Sequence, residues 1–184
     1  MADEGASPRE QLIESCRRNN TDLLTTVLHS LPHHKHNDQK SAIAHFLNTT
    51  TDALGAGPLH VAAQYGSYEV LDLILDQEGV EIDHKERREG DTCLHSAVRF
   101  CNELGSGTGE EREEGKQVVD ILVDAGCDPR IRNKAKLRPI DLVDPQNKEV
   151  RHALQMAELT LNAAGDAVEE DDEAAPNGPG SESD

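Results

Sequence analysis

Histidines at two kinds of position are spaced in ways that could support chemistry. The stretch HHKH holds His33, His34 and His36, and two copies of an LHxA phrase hold His60 and His95. A metal ion could use the first group, but no cysteine lies nearby and the ligand spacing is incomplete. A catalytic histidine needs a nucleophile and an orienting acid, and neither phrase repeats such partners beside it. We therefore predict no metal site and no catalytic residue at these positions.

The cysteines offer a second source of chemistry. They are scattered along the chain without a CxxC pair, at Cys16, Cys93, Cys101 and Cys127. This spacing argues for reduced thiols rather than a disulfide framework or a zinc site.

The stretch ELGSGTGEEREEGK at 103–116 weakly resembles a phosphate-binding loop. Five residues separate Gly109 from Gly115 where the motif needs four, and Gln117 replaces the required Ser or Thr. The four glutamates between Gly109 and Lys116 would also repel phosphate. We predict no nucleotide or other cofactor here and interpret the stretch as a solvated acidic loop.

The LHxA phrase itself indicates a repeated structural unit. Residues 59–63 set the register, residues 94–98 follow 35 positions later, and PIDL at 139–142 begins close to the corresponding point of a third unit. Spacings just above 33 residues with TPLH-like openings resemble the ankyrin repeat, whose unit is a turn, or finger, followed by two antiparallel helices. The excess length before the third unit coincides with the acidic stretch 103–116, since repeats tolerate insertions in loops.

The resemblance implies an all-α, ankyrin-repeat solenoid of about three to four helix-turn-helix repeats with a disordered acidic C-terminal tail. We predict a flexible N-terminus at 1–7, a repeat domain at 8–164 and the disordered tail at 165–184. The predicted units of the domain are an N-terminal cap repeat with a long loop (8–53), a repeat (54–85), a repeat with the acidic insertion 103–116 (86–133) and a C-terminal cap repeat (134–164). The loop of the first unit is expected to hold one short helix around Ala42 to Leu47.

Several residues have structural roles under the same resemblance. His60 and His95 are expected to hydrogen-bond neighbouring turns, and Gly66 and Gly126 stand where helices must stop. Lys136 occupies a position at which the family usually has glycine. We therefore predict an irregular turn in the last unit.

The resemblance places partner contacts on the fingers and on exposed positions of each repeat's first helix. Matching the repeats aligns Gln64 and Tyr65 with Arg99 and Phe100. Aromatic and arginine side chains dominate binding hot spots, which favours a partner site here. Packing of both aromatics against the next repeat is an equally open interpretation.

Two of the predicted fingers are strongly basic. The 84–89 finger and the 130–138 finger hold eight of the chain's 18 basic residues. The residues are Lys85, Arg87 and Arg88 on the first finger, and Arg130, Arg132, Lys134, Lys136 and Arg138 on the second. Two interpretations stay open: a solvated face, or a site for an acidic segment of a partner or of this chain's own tail.

Charge limits the range of partners. The formal net charge is −18, and residues 165–184 hold eight acidic residues and no basic one. Nucleic acid and anionic membranes are polyanions, so neither is expected as the main partner. The sequence shows no apolar run of membrane-spanning length and no apolar signal core. We expect a soluble monomer of the cytoplasm, the nucleus or both.

The functional prediction is a non-enzymatic protein-protein interaction module, an adaptor or scaffold that binds a partner through concave helix positions and finger turns. The alternative is an escort or chaperone for a strongly basic client, such as a ribosomal protein or a histone. In that case the acidic tail and the acidic stretch 103–116 would shield the client's positive charge.

Overall fold

The computed structural model describes residues 5–31, 36–105 and 107–166, with the backbone alone for residues 36–38 and 166. Within these ranges the chain forms nine α-helices and no β-strand, which confirms the predicted all-α class. The helices are α1 (Pro8–Arg18), α2 (Thr21–Ser30), α3 (His36–Thr49), α4 (Pro58–Gln64), α5 (Tyr68–Leu75), α6 (Cys93–Leu104), α7 (Gly109–Asp124), α8 (Pro139–Leu142) and α9 (Lys148–Asp166).

Eight of the helices form four pairs that stack into two layers. Helices α1, α4, α6 and α8 contact one another in that order, and α2, α5, α7 and α9 form the second layer in the same order. The apolar stripes meet between the layers, where the largest fully buried side chains include Leu24, Leu71, Leu94, Leu122 and Leu154. Each pair buries its stripe against the next pair, so stability is shared along the stack.

Local signals in the sequence fix several helix ends. Ser7 and Glu10 form a capping box at the start of α1, although Ser7 belongs to the segment predicted to be flexible. Gly66 and Gly126 follow the ends of α4 and α7 with φ values of 67° and 93°, as predicted for glycines that stop helices.

The connection between the first two helix pairs is more ordered than predicted. A short helix was expected around Ala42 to Leu47, but α3 has 14 residues. Its buried residues Ile43 and Leu47 face the core, and Asn48 donates its side-chain amide to the carbonyl of Gly79 at 2.9 Å. Helix α3 therefore covers the turn that follows α5, and this tertiary contact extends it beyond its local signal.

The prediction of a solvated loop over 103–116 is wrong at both ends. Glu103 and Leu104 are the last residues of α6, and the residues from Gly109 onward form the first two turns of α7. Thr108 and Glu111 form a capping box, and glutamates are favourable near a helix N-terminus. Gly115 is buried against α6, where an added Cβ would lie 3.1 Å from the Cys101 sulfur. The insertion therefore lengthens a helix instead of forming a loop.

Both ends of the chain extend past the described part. Helix α9 continues through Gly165 to Asp166, where the tail was predicted to begin. Residues 1–4 and 167–184, with most of the predicted flexible N-terminus and disordered tail, lie outside the described residues.

Candidate functional site

Three turns precede helices α4, α6 and α8, and the last two contain the 84–89 finger and the 130–138 finger. Each turn is held by one side chain that accepts hydrogen bonds from the backbone of the turn. Asp52 and Glu86 each accept several N–H groups, and Asn133 accepts the N–H of Leu137. Burial alone would raise the pKa of Glu86, but the backbone N–H groups of its finger outweigh burial and hold the pKa below its ordinary value. Both fingers are thus fixed by local hydrogen bonds.

Each turn also contains one left-handed residue, three positions before the following helix. Gly55 and Gly90 occupy this position in the first two turns, with φ values of 87° and 69°. Lys136 occupies it in the 130–138 finger with φ 66°, a conformation that costs a side-chain-bearing residue about 1–2 kcal/mol. The prediction of an irregular turn is therefore wrong, because Lys136 adopts the conformation of the two glycines and the turn keeps its geometry at the cost of strain in that residue.

The histidines of the LHxA phrase connect neighbouring turns, as predicted. The Nε2 atom of His60 lies 3.0 Å from the carbonyl oxygen of Asp91, and that of His95 lies 3.0 Å from the carbonyl of Leu137. Burial lowers the pKa of both imidazoles, which keeps them neutral. These side chains hold the fingers in place.

Asp91, a residue that sequence reasoning missed, joins the two basic fingers. Its buried carboxylate accepts the side-chain amide of Asn133 at 2.8 Å and the Nε–H of Arg99 at 2.8 Å. The backbone N–H of Lys134 also donates to the carbonyl of Glu89 at 2.9 Å. In the sequence, Asp91 is simply an acidic residue three positions before the second LHxA phrase. That position gives no sign of its partner Asn133, which lies 42 residues away.

The two fingers enclose an open groove with a volume of about 790 Å³. Six bases singled out from the sequence line it, namely Lys85, Arg87, Arg130, Arg132, Lys134 and Lys136. Glu86 also lies there, but its carboxylate already accepts finger N–H groups. Arg88, the remaining predicted base of the first finger, lies outside the lining and pairs with Glu89 at 3.5 Å.

Most of the positive charge in the groove lacks a carboxylate partner among the described residues. Arg130 is the exception, since its guanidinium pairs with Asp128 at 2.9 Å and the pair lowers the pKa of Asp128. Lys85 donates to the carbonyl of Arg132 at 2.8 Å and Lys134 to that of Arg88 at 2.9 Å. Lys134 also donates to the carbonyl of Arg87. These bonds cross from one finger to the other and use one N–H of the Lys85 ammonium and two of the Lys134 ammonium, so further donors stay available.

The predicted concave residues separate into two kinds. Gln64 and Tyr65 are exposed, Tyr65 at 54%. Phe100 is half-buried and covers Gly66, where an added Cβ would collide with its ring. Arg99 is held by its ion pair with buried Asp91 while part of its side chain reaches solvent. The structure thus leaves Tyr65 accessible and makes Phe100 part of the packing.

The cysteines are free and buried in the described part of the chain. Burial raises the pKa of Cys16 and of Cys101 to about 12, so neither thiol is an activated nucleophile. Cys93 and Cys127 lie with their sulfurs 3.6 Å apart, and this contact together with burial raises the pKa of Cys127.

Metal ligands do not cluster in the part of the chain that the structure describes, where no group of three or more His, Cys, Asp or Glu is positioned to hold an ion. His33 and His34 lie outside the described residues, and His36 begins α3 with its side chain undescribed. None of the described helices is long and apolar enough to cross a membrane.

Comparisons with known proteins agree with the stacked helix pairs. Family models described as ankyrin repeats match residues 59–104 and 89–134. The chain is 43% identical to the ankyrin repeat-containing protein YGL242C of Saccharomyces cerevisiae, over 97% of this chain and 94% of that protein. It is 29% identical, over 45% of its length, to a transient receptor potential cation channel subfamily A member 1 homolog of Caenorhabditis elegans, of which it covers 8%.

A solved structure shows the same fold. An ankyrin repeat domain from Acinetobacter baumannii AYE superposes with a TM-score of 0.61 at 19% identity, over 83% of this chain and 70% of that one.

Proposed function

The chain belongs to the ankyrin-repeat family, whose repeats are generally protein-binding modules, and we propose that it is a non-catalytic adaptor or scaffold that binds an acidic segment of another protein. The binding surface is the groove between the 84–89 finger and the 130–138 finger. The observation that carries this proposal is the set of groove bases without a carboxylate partner on a chain with net charge −18. An extended acidic segment would supply the missing partners.

The groove is suited to binding because its walls are already fixed. Asp91, Asn133 and the cross-finger lysine bonds hold the two fingers at a set distance before any partner arrives. A preformed site spends less free energy on ordering loops when it binds. The positive charge of the groove also attracts an acidic segment and speeds its association at low salt.

Tyr65 and Gln64 extend the proposed surface along the layer that contains α4. Tyr65 follows the end of α4 and combines a large apolar ring with a polar hydroxyl, the composition favoured at binding hot spots. We assign Phe100 to packing instead, because its ring covers Gly66.

The proposal is tested by titrating the full-length protein with a fluorescein-labelled peptide of alternating Glu and Asp. Arg87→Gln with Lys136→Gly removes two groove charges whose side chains make no hydrogen bond among the described residues. We expect affinity to fall about tenfold, since two charges worth about 0.7 kcal/mol each sum to about 1.4 kcal/mol.

A charge-matched control removes two bases outside the groove, Arg9→Gln with Lys148→Gln, both exposed. This variant should bind the peptide nearly as well as the natural chain. An equal loss in both double variants would mean that overall charge alone attracts the peptide, and the groove assignment would be wrong.

The escort function is a second candidate, and one observation favours it. Glu110, Glu113 and Glu114 are exposed on the first two turns of α7 and form an acidic face distant in sequence from the basic fingers. Changing these three to Gln should weaken binding of a labelled oligolysine peptide and leave binding of the acidic peptide unchanged. Tight oligolysine binding lost in this variant, with no acidic-peptide binding by the natural chain, would favour the escort over the adaptor.

The four free thiols support a reducing compartment, the cytoplasm or the nucleus, for this protein. The facing sulfurs of Cys93 and Cys127 would be at risk of oxidation in a secretory environment.

A further inference from the structure

We infer that the acidic C-terminal segment of this same chain, residues 167–184, docks on the groove between the basic fingers and competes there with acidic partners. This inference deepens the proposed function, since it concerns the same groove, but it rests on separate observations about α9. Helix α9 ends near the groove, the residues that follow it are acidic, and most bases of the groove have no carboxylate partner among the described residues.

Helix α9 ends close to the groove. The side-chain oxygen of Asn162 accepts a hydrogen bond from Arg130 at 3.1 Å, and Arg130 lines the groove. Glu158, one turn earlier, pairs with Arg138 at 3.0 Å on the same finger. Two contacts therefore hold the last turns of α9 against the 130–138 finger. Asp166 follows Asn162 by four residues, or about 6 Å of helix.

The residues beyond α9 carry the charge that the groove lacks. Residues 167–184 contain seven acidic residues and no basic one, and five of the acids are consecutive at 169–173. The run begins three residues after Asp166, a distance of at most about 11 Å when extended. An acidic run attached this close to the groove edge acts at an effective concentration of about 1 mM.

Both the segment and an acidic partner match the charge of the groove, but attachment favours the segment because it acts at a high effective concentration. Among the described residues, the groove bases without a carboxylate partner are Lys85, Arg87, Arg132, Lys134 and Lys136. Contacts between exposed charges are individually weak and screened by salt, so the segment should exchange between bound and free states. The groove is then partly occupied, and a partner must displace the segment.

The test compares the full-length protein with a reduced-charge tail variant, Glu169→Gln with Glu170→Gln and Glu173→Gln. Its control is Glu110→Gln with Glu113→Gln and Glu114→Gln on α7, which is matched in number and chemistry. The direct readout is the amide chemical shift, by NMR, of the two fingers at about 0.01 M and about 1 M salt, where the Debye length is about 30 Å and about 3 Å.

We expect the tail variant to shift finger amides at low salt, with no such shift at high salt or in the α7 control. The tail variant should also bind the labelled acidic peptide about threefold to tenfold more tightly than the natural chain, because a weakened competitor is displaced more easily. Shifts confined to the last turn of α9, or finger shifts of equal size in both variants, would overturn the inference.

The outcomes separate this inference from the proposed function. If the peptide binds through Arg87 and Lys136 but the tail variant leaves its affinity unchanged, the groove is a partner site without an internal competitor. If neither protein binds the peptide while the finger amides still respond to the tail, the segment docks as inferred and the proposed acidic partner is wrong.

Discussion

At the scale of single residues, Lys136 has a backbone conformation that glycine prefers and a charged side chain that lines the groove. Glycine fills the equivalent position of the two earlier turns, at Gly55 and Gly90, yet a lysine holds the left-handed conformation here. Strained residues persist where the surroundings determine them, and they concentrate at functional sites. The Lys136 side chain lines the basic groove, which gives the strain a functional interpretation.

We expect Lys136→Gly to raise the free energy of unfolding by about 1 kcal/mol, because glycine adopts positive φ without a steric penalty. Denaturant titration measures this change. Ala135→Gly, at the preceding exposed position, should have the opposite sign, since it only adds freedom to the unfolded chain. A destabilised Lys136→Gly protein would show that the lysine side chain stabilises the finger.

Tyr65 and Phe100, which the repeat alignment treats as equivalent, should respond differently to truncation. Phe100→Ala removes a ring packed over Gly66 and should lower the free energy of unfolding by about 2–3 kcal/mol. Tyr65→Ala, at an exposed site, should cost less than about 0.5 kcal/mol in stability. Denaturant unfolding of both variants measures the two losses in the free energy of unfolding. Equal losses would contradict the separate roles assigned to them.

At the scale of helices and turns, the N-terminus of α7 shows that a capping box can start a helix where the amino-acid composition suggests a loop. The glutamates and glycines of 103–116 suggest a loop, but Thr108 and Glu111 form a capping box and start a helix. We expect Thr108→Ala to lower the free energy of unfolding by about 1 kcal/mol. Thr51→Ala, at an exposed position without a capping role, is the control. No difference between the two would argue against the helical start.

The histidine bridges between turns should make stability depend on pH. Burial lowers the folded-state pKa of His60 and His95 below the unfolded value of about 6.5, so the unfolded chain binds more protons between these values. Stability is therefore complete above about pH 6.5 and should fall below it, by up to about 1.4 kcal/mol per pH unit for each histidine. Denaturant titrations between about pH 5 and pH 7 measure the slope, and a flat profile there would mean that the imidazoles are not held neutral.

At the scale of the whole molecule, the stack should fold without the acidic segment. Ending the chain after Asp166 removes no residue of the described core, so the Tm at about 1 M salt should change by less than about 2 °C. Circular dichroism of the shortened and natural chains measures it. A drop of several degrees at high salt would show apolar packing of the segment on the repeats, which salt does not screen.

The sequence by itself determined the repeat. The LHxA phrase, the helical apolar stripes and the glycines at 66 and 126 are local patterns, and local hydrogen bonding with burial of one helix face is enough to specify helix pairs that stack. The basic composition of the two fingers was equally visible, because charge can be read residue by residue.

Only the tertiary structure decided which of those basic residues already have a carboxylate partner and which could still bind one. Arg99 and Arg130 have carboxylate partners, whereas Lys136 has none among the described residues. It also brought Asp91 to Asn133, placed Phe100 over Gly66, and set the end of α9 beside the 130–138 finger. Each of these pairs joins residues far apart in sequence. Ion pairs and packing depend on distances across the stack, which spacing along one chain does not encode.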